Sequence, residues 1–401
     1  MKAGVEERTA RTSRQQAGAG LLIVGIILIA MNLRAPFISV GPLIGLIRES
    51  LGLSSAMSGM LTTLPLLAFA VLSPIAPRLA RHYGLSNVLG AALLLLTIGI
   101  GVRWLGGVVP LFTGTILIGA AIAICNVLLP SLIKKRFPGR IGLMTGAYSM
   151  SMNISASIAS GISVPLAMSL AQGWSGSLAI WLCTAGAALL LWVPQLQSTK
   201  SPVVQISATR GPGMWKSPLA WQITIFMGLQ SILYYVFVAW FPDMMAVRGI
   251  SSSAAGWMMS LMQLSQLPLT FLVPIWAGKM KNQLPLVFIM SLLYISGLSG
   301  LLLGGDEWIL FSVISIGIAG GSAFGLVLML FTLRTRTAQE AAEISGMAQS
   351  VGYILAAAGP VLFGYLHDMT ENWSVPLILL LCFSLCLLMV GIGAGKNRYI
   401  R

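Results

Sequence analysis

The sequence predicts an all-α polytopic membrane protein of twelve transmembrane helices, arranged as two pseudo-symmetric six-helix bundles. Three observations predict it. Of 401 residues, 57% are hydrophobic and only 8% charged, more apolar surface than an ordinary soluble domain hides from water. Apolar runs long enough to cross a bilayer recur about twelve times, separated by charge, proline or glycine. Features of the first half also reappear at matching places about 200 positions later.

Taken in order, the stretch Met1 to Ala19 is polar and basic. The apolar run after it is too long for a signal peptide and lacks a small-residue cleavage site, so it reads as the first span. The predicted spans are 20–47, 55–77, 86–104, 108–133, 141–168, 174–194, 218–240, 253–276, 284–304, 308–333, 343–366 and 374–395. The longest polar connection runs from Pro194 to Lys216 and divides six spans from six. The expected organisation is a tail over 1–19, a bundle over 20–194, a central loop over 195–217, a bundle over 218–395 and a tail over 396–401.

The net charge of +14 follows this topology. Of the 24 Lys and Arg residues, all but Arg34, Arg48, Arg103 and Arg248 fall in the two tails and alternate loops, among them Arg78, Arg81, Lys134, Lys279 and Arg336. Arg48, Arg103 and Arg248 are expected in the opposite loops. The positive-inside rule then puts both termini in the cytoplasm of a cell whose inner membrane holds the protein. The basicity calls for no nucleic-acid partner. Cys125, Cys183, Cys382 and Cys386 lie inside apolar runs with no histidine or carboxylate beside them, so they read as packing residues. No metal or cofactor is expected.

The internal repeat has four anchors. Lys134 and Arg136 match Arg334 and Arg336, and Thr145-Gly146 matches Ser345-Gly346. Gly173-Trp174-Ser175 matches Asn372-Trp373-Ser374, and Arg78 with Arg81 matches Lys279 with Lys281. Duplicated six-span halves are the signature of a rocking transporter with its solute site between them at the midplane.

The first site candidate is Arg34, in Met31-Asn32-Leu33-Arg34-Ala35-Pro36, because it lies near the middle of an apolar run. A guanidinium at bilayer depth costs at least roughly 2.5 to 3.5 kcal/mol, so such residues face a bundle interior or wet cavity. All ten Asp and Glu residues fall outside the predicted spans or at their ends, which removes the usual ion-pair partner. Two readings stay open: a substrate anion or electron-rich solute supplies the partner through charge-assisted bonds, or Arg34 donates to backbone carbonyls.

Other mid-span polar residues share helix faces. Gln230 pairs with Tyr234, Gln263 with Gln266, and Gln349 with Tyr353. Ser149, Asn153 and Ser157 line one face of the fifth span, and Asn126 sits in the fourth. Each alone also fits a plain helix–helix hydrogen bond. Asn32 lies about 200° around the helix from Arg34 and is expected to face a neighbouring helix. Gly317, Gly321 and Gly325 form a small-residue stripe, and Gly359-Pro360 reads as a kink.

The whole chain resembles the major facilitator superfamily in its plan of six plus six spans and long central loop. The superfamily's loop motif, Gly-x-Leu-Ala-Asp-Arg-Tyr/Phe-Gly, appears as Pro77-Arg78-Leu79-Ala80-Arg81-His82-Tyr83-Gly84. Proline replaces its glycine and Arg81 its aspartate, which undercuts the usual charge relay. The resemblance implies a gating role for Arg78, Arg81 and Gly84. Asn32-Leu33-Arg34, the run Leu61 to Ala70, the run Ser345 to Tyr353 and Asn372-Trp373-Ser374-Val375-Pro376-Leu377 resemble the cyanate permease and nitroimidazole transporter family.

Enzymatic motifs are absent from the sequence. There is no Walker loop to bind ATP, and His82 and His367 both lie at span ends. Facilitated diffusion, exchange, or proton coupling through Asp243 or Glu343 remain. The expectation is a monomeric transporter of a small anion or compact polar solute, which the family resemblance narrows to cyanate-like anions or nitroaromatic azoles. The alternative is an exporter of larger amphipathic drugs, with which 21 Met and 11 Trp are compatible.

Overall fold

The computed structural model describes residues 20–53, 55–197 and 214–400. The tail over 1–19, most of the central loop (198–213) and Arg401 lie outside the described residues. The described residues form helices joined by short turns, with no strand among them. Span α1 covers Gly20–Leu51 with breaks, and α2 covers Ser55–Leu72. They are followed by α3 (Leu85–Trp104), α4 (Val108–Arg136), α5 (Ile141–Ser169) and α6 (Gly173–Leu196). The second half contains α7 (Pro218–Val247), α8 (Ser252–Lys279), α9 (Leu284–Leu303), α10 (Ile309–Leu333), α11 (Ala338–Thr370) and α12 (Ser374–Gly395).

Among the described residues, ten helices are long and apolar enough to cross a membrane, and the bent pair Thr63–Leu72 with Ala76–Tyr83 raises the number to eleven. The remaining span, α5, falls short because Ser149, Ser151, Asn153, Ser155, Ser157, Ser160 and Ser163 interrupt its apolar residues. Ser151, Ser157 and Ser163 return their hydroxyls to the carbonyls of Ala147, Asn153 and Ala159 one turn back, while Ser155 reaches α1.

Several local expectations change. The motif over 77–84 is not an open loop: Ala76–Tyr83 is a helix bent 53° from the end of α2. Arg78 and Arg81 are exposed on it, and Gly84 ends it at φ +87°. Arg103, expected in a loop, occupies the last turn of α3 and is 1% exposed. Arg334 is likewise buried, donating to the Ala394 carbonyl at 2.8 Å and the Gly395 carbonyl at 2.9 Å, where it satisfies the end of α12. Pro360 lies inside α11, whose helical assignment continues through it.

The two halves pack by one pattern: α3 against α4 and α6, α2 against α4, and correspondingly α9 against α10 and α12, α8 against α10. Between the halves, α5 lies along α8 and α11 along α2. Both crossings need glycine. A Cβ on Gly146 would sit 2.5 Å from the Phe271 carbonyl oxygen, and one on Gly346 would sit 2.6 Å from that of Ser73. Hydrogen bonds cross the seam nearby, from Ser149 to the Thr270 carbonyl (3.1 Å) and from Ser350 to that of Ala70 (2.5 Å). Lys134 on α4 bonds the Thr332 carbonyl (2.7 Å) and both the carbonyl and hydroxyl of Thr335. These contacts seal the end of the bundle that carries the basic turns. Toward the opposite end, Ser157 and Ser160 of α5 and Ser260 of α8 are exposed.

Candidate solute site

The site starts from the break in α1. Regular helix ends at Asn32, Leu33 and Arg34 form a turn, and a four-residue helix, Ala35–Ile38, follows. Pro36 has no N–H and its ring crowds the preceding turn, so the i to i−4 ladder cannot pass through it. Arg34 takes φ −121° and ψ −45° at this turn. The broken strand of carbonyls finds partners on neighbours: Ser155 of α5 donates to the Met31 carbonyl at 2.9 Å. Asn32 faces α6, where Thr184 donates to its Oδ1 at 3.0 Å, as expected from its position opposite Arg34.

The Arg34 side chain is half-buried and enters a small central cavity of about 20 Å³. Asn153, Met227, Gln230, Ser231, Tyr234, Tyr235, Gln266, Gly320, Phe324 and Tyr353 complete its walls. The guanidinium carbon lies 5.3 Å from the centroid of the Phe324 ring, a cation–π contact that crosses from α1 to α10. Tyr234, Tyr235 and Tyr353 surround the same cation. The ion pairs among the described residues, Arg248 with Asp306 and His367 with Asp368, lie elsewhere. No carboxylate is paired with Arg34.

On the other wall the polar groups are ordered among themselves. Gln263 donates to the Tyr234 hydroxyl at 3.2 Å, and Gln266 donates to the Gln263 Oε1 at 3.0 Å. Gln230 donates to the Ser231 hydroxyl at 2.7 Å. The cavity therefore opposes a single cation from the first half to a preorganised set of phenols and amides from the second.

Residues 21–360 match the Major Facilitator Superfamily. The chain belongs to that superfamily. Three curated relatives refine the placement. The chain is 48% identical over 380 residues to the uncharacterized transporter YycB of Bacillus subtilis, covering 94% of each chain. It is 41% identical over 394 residues to the 2-nitroimidazole transporter of Escherichia coli, covering 98% of this chain and 100% of the relative. The cyanate transport protein CynX of Escherichia coli is 26% identical over 360 residues, 88% and 91% of the two chains. In fold, the solved proton:xylose symporter XylE superposes with a TM-score of 0.78 at 13% identity, covering 95% of this chain and 97% of that one. The protein is a major facilitator transporter, not an enzyme, and it resembles the cyanate and nitroimidazole transporter family.

Within this transporter, Arg34, Asn153, Gln230, Tyr234, Gln266 and Tyr353 meet at one cavity although the sequence spreads them over five spans. Gln263 stands behind Tyr234 and Gln266 as their common partner. Asn126 and Gln349 are buried outside the lining, and Gln349 is occupied by the Ser345 hydroxyl one turn away at 2.8 Å. Tyr235, Phe324, Met227, Ser231 and Gly320 line the cavity without having been singled out in the sequence. Tyr235 had a usable signal, since it adjoins Tyr234 on a helix with few other polar groups. Phe324 had none: it is one apolar residue in an apolar span.

Proposed function

We propose that this transporter moves a small anion or compact polar solute, cyanate-like or nitroimidazole-like, by alternating access, and that Arg34 is the solute's attachment point. One observation carries the reading: a guanidinium projects into the central cavity with an aromatic ring as its neighbour and no carboxylate paired to it. A planar oxyanion or nitro group offers two acceptors that fit the guanidinium fork. Bonds to a charged group contribute about 1.5 to 3 kcal/mol each, enough for such a solute to replace the Phe324 contact. The solute is then held by the first half through Arg34 and by the second through Tyr234 and Gln266. Tying both halves to one small cargo is what alternating access requires.

The names of two relatives, for 2-nitroimidazole and cyanate, support this substrate class. By the positive-inside rule, the sealed basic end faces the cytoplasm and both termini lie on that side of the inner cell membrane; in this reading the transporter works as a monomer. Arg78, Arg81 and Gly84 flank the seam at that end and belong to the gating elements in this reading.

Thermal unfolding of the purified protein tests the proposal. A ligand at about 100 times its Kd stabilises by about 2.7 kcal/mol. Either 2-nitroimidazole or cyanate should raise the Tm of the wild type and leave Arg34→Ala unmoved, with Arg34→Lys in between because it loses the planar fork. Equal shifts in wild type and Arg34→Ala would remove Arg34 from the site, and a response only to bulky amphipathic drugs would favour a different cargo.

A further inference from the structure

We infer that Arg103 is a positioning residue for the solute site, holding in place the unwound segment of α1 that carries Arg34. The inference rests on the reading of Arg34 as the attachment point. Arg103 lies on α3, outside the cavity walls, and is 1% exposed with no carboxylate paired to it. Its Nη1 reaches across to α1 and donates to the Pro36 carbonyl at 2.9 Å. Its Nε and Nη2 have no partner among the described residues. That single bond is therefore where this buried cation acts.

The Pro36 carbonyl needs such a partner. In an unbroken helix it would accept from the Val40 N–H, but Val40 donates instead to the Phe37 carbonyl at 3.4 Å. Besides Arg103, the Pro36 carbonyl has a 3.4 Å contact from the Ser39 hydroxyl. Non-helical backbone within a membrane bundle persists only where protein or water satisfies it. The close fit of α3 on α4 makes the reach possible: a Cβ on Gly114 would come within 2.8 Å of the Arg103 Cβ and backbone nitrogen.

Pro36 is two residues from Arg34, and its ring fixes φ between them and the anchored carbonyl. The segment has little freedom to absorb a loss at that point. Its other flank is held by Ser155 on the Met31 carbonyl and by Thr184 on Asn32. Arg103 completes the clamp from the side those two do not reach.

The test compares wild type, Arg103→Met, Arg103→Lys, Arg34→Ala and the double variant Arg34→Ala/Arg103→Met. Amide hydrogen exchange over residues 37–40 reads the clamp without any solute. Arg103→Met should speed exchange there at least about tenfold, leaving α9 to α12 unchanged, and Arg103→Lys, which still donates, should restore most of the protection. Uptake of 2-nitroimidazole reads the consequence: Arg103→Met should raise KM about tenfold with turnover within about twofold, yet add almost nothing on the Arg34→Ala background, because the two act as one unit.

Unchanged exchange over 37–40, or additive effects of the two substitutions, would overturn the inference. Should wild type ignore 2-nitroimidazole, the solute reading fails while the exchange comparison still decides the clamp. Should Arg103→Met not fold, Arg103→Gln takes its place, being polar but too short to span the gap to Pro36.

Discussion

At the scale of the residue, the cavity is defined by Arg34 of α1 meeting Phe324 of α10, the guanidinium carbon 5.3 Å from the ring centroid. A charge among apolar residues is a costly exception that any reading notices, whereas a phenylalanine in an apolar span carries no mark of facing a cation. Helical spacing fixed which polar residues share a face, but not whether that face fronts the cavity. Gln230 and Tyr234 do front it, while Gln349 turns to Ser345 and Asn126 is buried elsewhere. Tyr234 is the residue on which the second wall depends, since its hydroxyl receives Gln263 and faces Arg34. Tyr234→Phe leaves the ring and removes that acceptor. With a hydrogen bond contributing about 0.5 to 1.5 kcal/mol, the KM for 2-nitroimidazole should rise roughly two- to twelvefold at unchanged expression. A KM indistinguishable from wild type would show that the hydroxyl plays no part in holding the solute.

At the scale of the element, the repeat read from the sequence has a structural counterpart. Thr145-Gly146 lies in the second turn of α5 and Ser345-Gly346 in the third turn of α11, and both glycines face a backbone carbonyl of the opposite half. A second of the four anchors diverged. Lys134 crosses the seam to the end of α10, while Arg334 stays within its own half at the end of α12. Equivalent sequence positions thus fixed location but not partner, because a long cationic side chain takes whichever helix C-terminus it can reach. The Gly146 contact leaves no room for a side chain, so Gly146→Leu should prevent α5 from closing on α8. Ser149, fully buried at this crossing, would then be reached from the basic side. In a cysteine-free background, a Ser149→Cys probe should react with a polar maleimide at least about tenfold faster when Gly146→Leu is present. Equal labelling rates would mean that the seam closes by another route.

At the scale of the whole molecule, the spans were legible because burying charge is expensive everywhere in a bilayer, so the turns between them announced themselves. The conformation was not, since helical periodicity assigns residues to faces without saying which faces of the two halves meet. What holds the basic end shut here is a set of glycine contacts, the serine bonds of Ser131, Ser149 and Ser350 to carbonyls of the opposite half, and one lysine, Lys134, whose ammonium group joins α4 to the end of α10. Charge-assisted bonds of about 1.5 to 3 kcal/mol correspond to a roughly 10- to 150-fold change in a two-state equilibrium. A state open at the basic end and populated at about 1% would therefore rise to between about 10% and 60% when that cation is lost. Lys134→Met, with spin labels at the exposed positions Gly139 and Asn397, should show a second, longer distance in that proportion. Saturating solute should redistribute the two distances if it bridges the halves. A single unaltered distance would assign the seal to the glycine crossings and the serine bonds, leaving Lys134 as a cap on α10.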